Sequence, residues 1–239
     1  MSIETVPRRV PVAGTPPPAA PFHNYPPFAP RFWHGMTTGV AWQLMRQGRT
    51  IPDVQRWPLA AGVSVLSLGN TLLGLCQHLL HGRQIAAQTI SQPPLFIIGH
   101  WRSGTTMLHE WLNLDPQFSS PTTYQCFAPW HFLLTEGLVQ RFGRFLLPKH
   151  RPMDNMAAGW HLPQEDEFAL MNLGSPSPYR RIAFPRRPPP DMELLDMPPD
   201  LDPRLREHWC RSMLWFAKAL TYHSGRRLLL KSPTHTGRL

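Results

Sequence analysis

Residues 95 to 114 read LFIIGHWRSGTTMLHEWLNL. Gly99 and Gly104 stand at the Gly-x-x-x-x-Gly spacing of a loop that cradles nucleotide phosphates. The Lys that should come next is replaced by Thr105, followed by Thr106, and the strong cation within the loop is Arg102. Glycines let the backbone approach a ligand closely, and amides at a helix N-terminus present partial positive charge. Ser103, Thr105 and Thr106 add hydroxyl donors, and Arg102 adds a planar fork of donors carrying a delocalised charge. These residue types suit a tetrahedral oxyanion.

The elements that must hold this loop are legible on both sides. Leu95 to Ile98 is a short apolar run between Pro93-Pro94 and Gly99, the pattern of a strand buried on both faces. Met107, Leu108, Trp111, Leu112 and Leu114 recur at helical spacing, and Asp115-Pro116 closes that helix. Further on, LREHWCRSMLWFAKALTYHSG places Leu205, Trp209, Met213, Phe216, Ala217 and Leu220 on one helix face. A second buried strand is expected at Leu228 to Leu230, ending at Lys231. Strands separated by helices predict an α/β fold with a mostly parallel sheet.

Lys231 restricts the anion. A triphosphate-binding site holds magnesium with the loop hydroxyl and an Asp at the end of a neighbouring strand. A Lys at that strand end repels magnesium and instead suits a donor with less charge and no metal, such as a phosphosulfate. Two other features carry possible chemistry. LPQEDEFALMNLG reads as a helix with Pro163 at its start, Glu165, Asp166 and Glu167 in its first turn, and Gly174 at its end. Those acids either complement the helix dipole or supply a general base. His100, His109, His161 and His235 are alternative bases, although a lone His is more often a hydrogen-bonded structural residue.

The 239 residues are 42% hydrophobic, enough for one domain with a core, or one domain plus an appendage. The formal net charge of +9 favours anionic partners, and without a zinc-finger or RNP-like pattern the reading is an anionic small molecule, with no nucleic acid. Cys76, Cys126 and Cys210 are odd in number and far apart, so no disulfide framework or zinc site is indicated. No apolar signal-peptide core is visible at the start, and a reduced, cytoplasmic setting is expected, with membrane association as the alternative. Residues 1–32 form a Pro-rich flexible arm, 33–92 a helical N-terminal extension, and 93–239 the loop-bearing domain. Within the extension, 59–80 is about as long as a membrane span needs, yet it carries Ser64, Ser67, Asn70, Thr71, Gln77 and His78. A buried or amphipathic helix is therefore expected, with peripheral membrane contact left open. RRIAFPRRPPPDMELLDMPPDLDP reads as irregular. The aromatic residues Trp130, Phe132, Trp160 and Phe168 either line an apolar or sugar-binding pocket or form core.

PLFIIGHWRSGTTMLH resembles the 5′-phosphosulfate loop of the sulfotransferases, with its short Arg/Lys-Ser-Gly-Thr-Thr signature. DPQFSSPTTYQCFAPWHF, RPMDNM, PQEDEFAL and LLLKSPTHTGRL resemble, in the same order, segments of a bacterial sulfotransferase-domain family. The resemblance covers roughly residues 93 to 239. It implies a P-loop NTPase-like three-layer fold and transfer of a sulfuryl group from 3′-phosphoadenosine 5′-phosphosulfate (PAPS), without a metal, to an acceptor, which is expected to be a hydroxyl on a small molecule, carbohydrate or lipid. Arg102, Ser103, Gly104, Thr105 and Thr106 would cradle the phosphosulfate. Lys231 would offset charge on the leaving phosphate oxygen or the sulfuryl group. Some sulfotransferases place the base soon after the first helix, but SSPTTYQC has no carboxylate. Glu165, Glu167 and then His235 become the candidates.

In the family, LKSPTH is followed by a further strand and an Arg-Asp-Pro-like motif that hold the 3′-phosphate, and the sequence given stops at Leu239 before them. The expected fold is thus incomplete at its C-terminus. The strand at Leu228 to Leu230 is expected to have fewer neighbours and leave apolar surface open, giving an aggregation-prone or unstable chain with little or no activity. Two rival readings are a P-loop kinase or NTPase with a degenerate loop, and an inactive sulfotransferase remnant.

Overall fold

The computed structural model describes residues 31–48, 57–148, 157–184 and 195–238. The Pro-rich arm up to residue 30, the RPMDNM segment and the middle of the Pro-rich stretch lie outside the described residues. Three strands form one parallel sheet: β1 (Leu95–Ile97), β2 (Phe118–Ser119) and β3 (Arg227–Lys231), in the order β1-β3-β2. The register places Leu95 beside Leu229 and Ile97 beside Lys231, and on the other edge Phe118 beside Arg227. The expected strands are present, and β1 leads directly into the glycine loop.

β3 is the middle strand, and this corrects the expectation that Leu228 to Leu230, with fewer neighbours, would be underpacked. The two-residue β2, too short to show any side-chain period, occupies its second edge. Leu228, Leu229 and Leu230 are fully buried. Their alternation explains why the run is apolar throughout. Leu228 and Leu230 join the main core with Phe216, Ala217 and Leu220 of α7 (Pro203–Ser224), whereas Leu229 packs with Ile97 and Phe118 on the other face. The apolar side chains left exposed near the sheet are Phe96 and Ile98 around β1, and Met107, Leu108, Trp111 and Leu114 around α3 (Thr105–Leu112).

The other helices surround this unit. α4 (Thr123–Phe127), α5 (Phe132–Phe142) and α6 (Asp166–Asn172) pack with α7 around the main core. Trp130, Phe132, Trp160 and Phe168 belong to that packing. Phe132 is wholly buried, Trp160 meets Phe127 and Tyr124 edge-on, and Phe168 stacks on Phe32 at 3.7 Å. α1 (Thr38–Gly48) and the 31-residue α2 (Trp57–Ala87) precede the sheet, and α2 reaches α5 and α7. Ile85 of α2 sits in the main core, so these helices and the segment from 93 onward share packing.

The sheet's middle position should appear in stability. Leu229→Ala deletes a fully buried side chain between two neighbouring strands and should cost about 2 to 5 kcal/mol. Leu66→Ala, at an exposed site on α2, should stay within about 0.5 kcal/mol. Urea unfolding of both variants measures the difference. Equal midpoints for the two would contradict the central placement of β3.

Candidate active site

The loop leaves β1 at Ile97 and enters α3 at Thr105. Gly104 caps the helix with φ 85°, a left-handed conformation that suits glycine, and Arg102 takes φ 61°. A Cβ on Gly99 would lie 2.6 Å from Thr105 Cγ2, so the loop closes on itself too tightly for a side chain there. Ser103 Oγ donates to the His100 carbonyl at 2.5 Å, and Thr236 Oγ1 accepts from the Gly99 amide at 2.7 Å. His100 thus serves the loop through its backbone. Trp101, Arg102, Ser103 and Gly104 are exposed, and Thr105 and Thr106 are half-buried.

Lys231 ends β3 next to this loop because β1 and β3 are parallel neighbours. Its ammonium donates to Thr106 Oγ1 at 3.1 Å and to Glu165 Oε1 at 2.6 Å, and its side chain is only 4% exposed. The other oxygen of Glu165 accepts from the Tyr179 hydroxyl at 2.5 Å. Tyr179 lies on a 3₁₀ turn, Pro178–Ile182, with the side chain of loop residue Trp101 near its oxygen. Burial first, then the charge of Glu165, push the Tyr179 phenol far above its ordinary range, so it stays protonated and donates. A chain of hydrogen bonds results, from Tyr179 through Glu165 and Lys231 to Thr106 on the loop's helix.

Glu165 is the first of three consecutive acids, each with a different basic partner from the end of β3 or the segment that follows it. Asp166 Oδ2 pairs with His235 Nε2 at 2.7 Å, and Glu167 Oε2 accepts from Arg238 Nη1 at 2.7 Å. Asp166 also accepts from Ser232, and Glu167 from Ser177 and Thr234. Asp166 and Glu167 are wholly buried, whereas the Glu165 side chain keeps 19% exposure. Burial alone would raise the Asp166 carboxyl, but the His235 charge and hydrogen bond outweigh it and hold Asp166 below its ordinary value. Burial likewise opposes a charged His235, and Asp166 outweighs it, so His235 is raised. The Arg238 guanidinium also covers the Trp209 ring at 4.8 Å.

The structure therefore brings together Thr106, Lys231 and Glu165, with Arg102 to Thr105 on the adjoining loop. Glu167 and His235 sit one layer deeper, with both Glu167 oxygens and the His235 Nε2 engaged by protein partners. Of the remaining histidines, His109 is buried and bonded to Ser120 Oγ at 2.9 Å, and His161 is exposed on the rim of a polar cleft beside β2. Sequence reasoning missed Tyr179 and Trp101. A lone Tyr after Ser-Pro and a Trp within a glycine loop carry no spacing signal, and only the fold sets them beside Glu165. It also missed Glu136 of α5, a buried carboxylate in that cleft. Burial raises the Glu136 carboxyl, and bonds from His223, Gln125 and Thr122 outweigh this and lower it.

Comparisons with known proteins agree with the order of these segments. A model of the sulfotransferase family matches residues 93–239. The chain is 42% identical over 212 residues to the omega-hydroxy-beta-dihydromenaquinone-9 sulfotransferase Stf3 of Mycobacterium bovis, and equally to that of Mycobacterium tuberculosis. The aligned region is 89% of this chain and 54% of each relative, so the chain spans about half the length of the curated relatives it matches. No solved structure is a significant match.

The buried Asp166–His235 pair has a signed pH dependence. A raised His235 stabilises the fold fully below its ordinary value near 6.5, and this is lost as pH rises through its folded value. A lowered Asp166 stabilises fully above its ordinary value near 3.8, and this is lost as pH falls through its folded value. Asp166→Asn leaves His235 without its counter-charge and should cost about 3 to 5 kcal/mol between about pH 4 and 6.5. The deficit should shrink at higher pH, and denaturant unfolding across that range checks it. A deficit that grows towards alkaline pH would refute the pairing.

Proposed function

Because this chain belongs to the sulfotransferase family, we propose that it transfers a sulfuryl group from PAPS to the hydroxyl of a small, lipid-like acceptor. The observation that carries this reading is Lys231, a buried ammonium held between Thr106 at the loop and Glu165. A cation there suits a developing negative charge on a leaving phosphate oxygen. The acceptor class follows the two mycobacterial relatives, whose names state a hydroxylated dihydromenaquinone as substrate. We read the strand, glycine loop and helix, with a parallel neighbour at β3, as a P-loop NTPase-like arrangement.

In this reading Arg102 and the amides and hydroxyls of Ser103 to Thr106 hold the donor's 5′-phosphosulfate. The acceptor oxygen attacks sulfur in line, the bond from sulfur to the 5′-phosphate oxygen breaks, and that oxygen leaves with the electron pair. Lys231 offsets its charge. The proton of the acceptor hydroxyl goes to Glu165, the acid of the three with open surface. A phosphosulfate competing for the Lys231 ammonium frees one Glu165 oxygen to accept that proton, while Tyr179 keeps the carboxylate oriented through the other. Glu167 and His235 act as positioning residues, since their partners leave no face for substrate. Proximity and charge placement supply the rate enhancement.

Two substitutions separate donor binding from proton transfer. Arg102→Ala removes a charge-assisted contact worth about 1.5 to 3 kcal/mol, so affinity for adenosine 3′,5′-bisphosphate should fall by roughly ten-fold or more. Glu165→Gln should keep that affinity and lose roughly 10²- to 10⁴-fold in kcat. Calorimetry and sulfuryl-transfer assays on wild type and both variants decide it. Unchanged affinity in Arg102→Ala, or magnesium-dependent ATP binding stronger than bisphosphate binding, would count against the reading. Unchanged kcat in Glu165→Gln would remove Glu165 as the base.

A further inference from the structure

α2 is inside out. Its polar residues face the protein and its leucines face away. Ser67 and Gln77 are 2% and 1% exposed, whereas Leu68, Leu72 and Leu75 are each more than half exposed and Leu79 is 82% exposed. At about 100° per residue, Ser67, Asn70, Thr71, Gln77 and His81 occupy an arc of about 120°, and Leu66, Leu68, Leu72, Leu73, Leu75 and Leu79 fill about 180° on the opposite side. The inward stripe is hydrogen-bonded along its length. Asn70 donates to the His34 and Met36 carbonyls and its Oδ1 meets His131 Nε2; Gln77 Oε1 accepts from the Leu133 amide; His81 meets the Tyr222 hydroxyl. A helix of a water-facing surface has the reverse arrangement, with its apolar stripe turned to the core.

We propose that the outward leucine face of α2 docks onto the surface of a lipid bilayer, with the helix lying in the interface. Among the described residues, α2 is the helix long and apolar enough to cross a membrane. Its hydrogen bonds to the domain along the inner stripe instead hold it against protein, so one side alone is available to lipid, which is the geometry of an interfacial helix. Charge agrees with that partner. No Asp or Glu occurs between Asp53 and Glu110, the chain carries a net +9, and Arg83 is exposed four residues beyond Leu79. An anionic lipid surface would meet no carboxylate on this helix and would attract the basic chain. Trp57, 61% exposed at the start of the helix, is a residue type that favours the headgroup region. This inference stands on α2 alone and survives if the acceptor proves not to be a lipid.

Flotation of the chain with vesicles of phosphatidylcholine, and of equimolar phosphatidylcholine and phosphatidylglycerol, tests it. The wild type should float with both, more strongly with the anionic mixture. A variant combining Leu68→Ser, Leu72→Ser, Leu75→Ser and Leu79→Ser should lose at least about a hundred-fold in partitioning, since each buried leucine is worth roughly ten-fold. The single Leu79→Asp change, at a site too exposed to unfold the helix, should weaken flotation about ten-fold or more. Circular dichroism melting confirms that both variants stay folded. Wild type that remains with the unbound fraction, or variants that float like wild type, would overturn the proposal. A concentration-dependent dimer, seen by sedimentation and dispersed by the same substitutions in the absence of flotation, would assign the face to a second copy of this chain instead.

Discussion

Three consecutive carboxylates cannot be placed at the edge of a core without counter-charges, and the rest of the site follows from how this chain supplies them. An unpaired buried charge costs several kcal/mol, whereas a paired and hydrogen-bonded one can be accommodated. Glu165, Asp166 and Glu167 are answered by Lys231, His235 and Arg238 in the same order along the chain. The pairing draws the start of α6 onto the end of β3. β3 already lies beside β1, so the same pairing brings Glu165 to the glycine loop. The acid nearest the loop is the one left partly open, and the two behind it are sealed. The access to solvent kept by the first pair and lost at the other two is a consequence of depth.

The loop's helix is tied to this charge ladder. Thr106 meets Lys231, and both Lys231 and Tyr179 end on Glu165. A phosphate-type anion entering the loop would compete with Glu165 for the Lys231 ammonium. In the proposed reading, donor binding and readiness of the proton acceptor would be coupled through one side chain. α2 makes a similar use of polar contacts at a larger scale. Its hydrogen-bonding stripe is spent on the domain, and its apolar side is turned outward.

Much of this was legible in the sequence for identifiable reasons. The apolar runs at Leu95–Ile98 and Leu228–Leu230 read as doubly buried strands because both faces of β3 are covered. The glycine spacing marked the loop, and Lys231 at the end of the second strand pointed to the loop's neighbour. β2 was not legible because two residues show no period, and the expectation of an underpacked β3 came from the family strand that follows LKSPTH, with no allowance for a neighbour as short as β2. Glu165 and Glu167 looked equivalent in a helix's first turn. Their difference is one of depth, which follows from partners more than sixty residues away. Tyr179 and Trp101 had no spacing signal at all. The polar residues between 64 and 78 were read as evidence against a span, but the side on which Ser67, Asn70 and Gln77 face could be seen only once His34, His131 and Leu133 were placed.

The most direct test of the central claim is a structure of the chain with adenosine 3′,5′-bisphosphate bound. The account predicts the 5′-phosphate on the loop amides of Ser103 to Thr106, within hydrogen-bond distance of Lys231 Nζ. It also predicts the Lys231 ammonium drawn away from Glu165, with Tyr179 still on the carboxylate. A nucleotide bound away from the loop, or a 5′-phosphate on the loop with Lys231 still held by Glu165 and out of its reach, would contradict it.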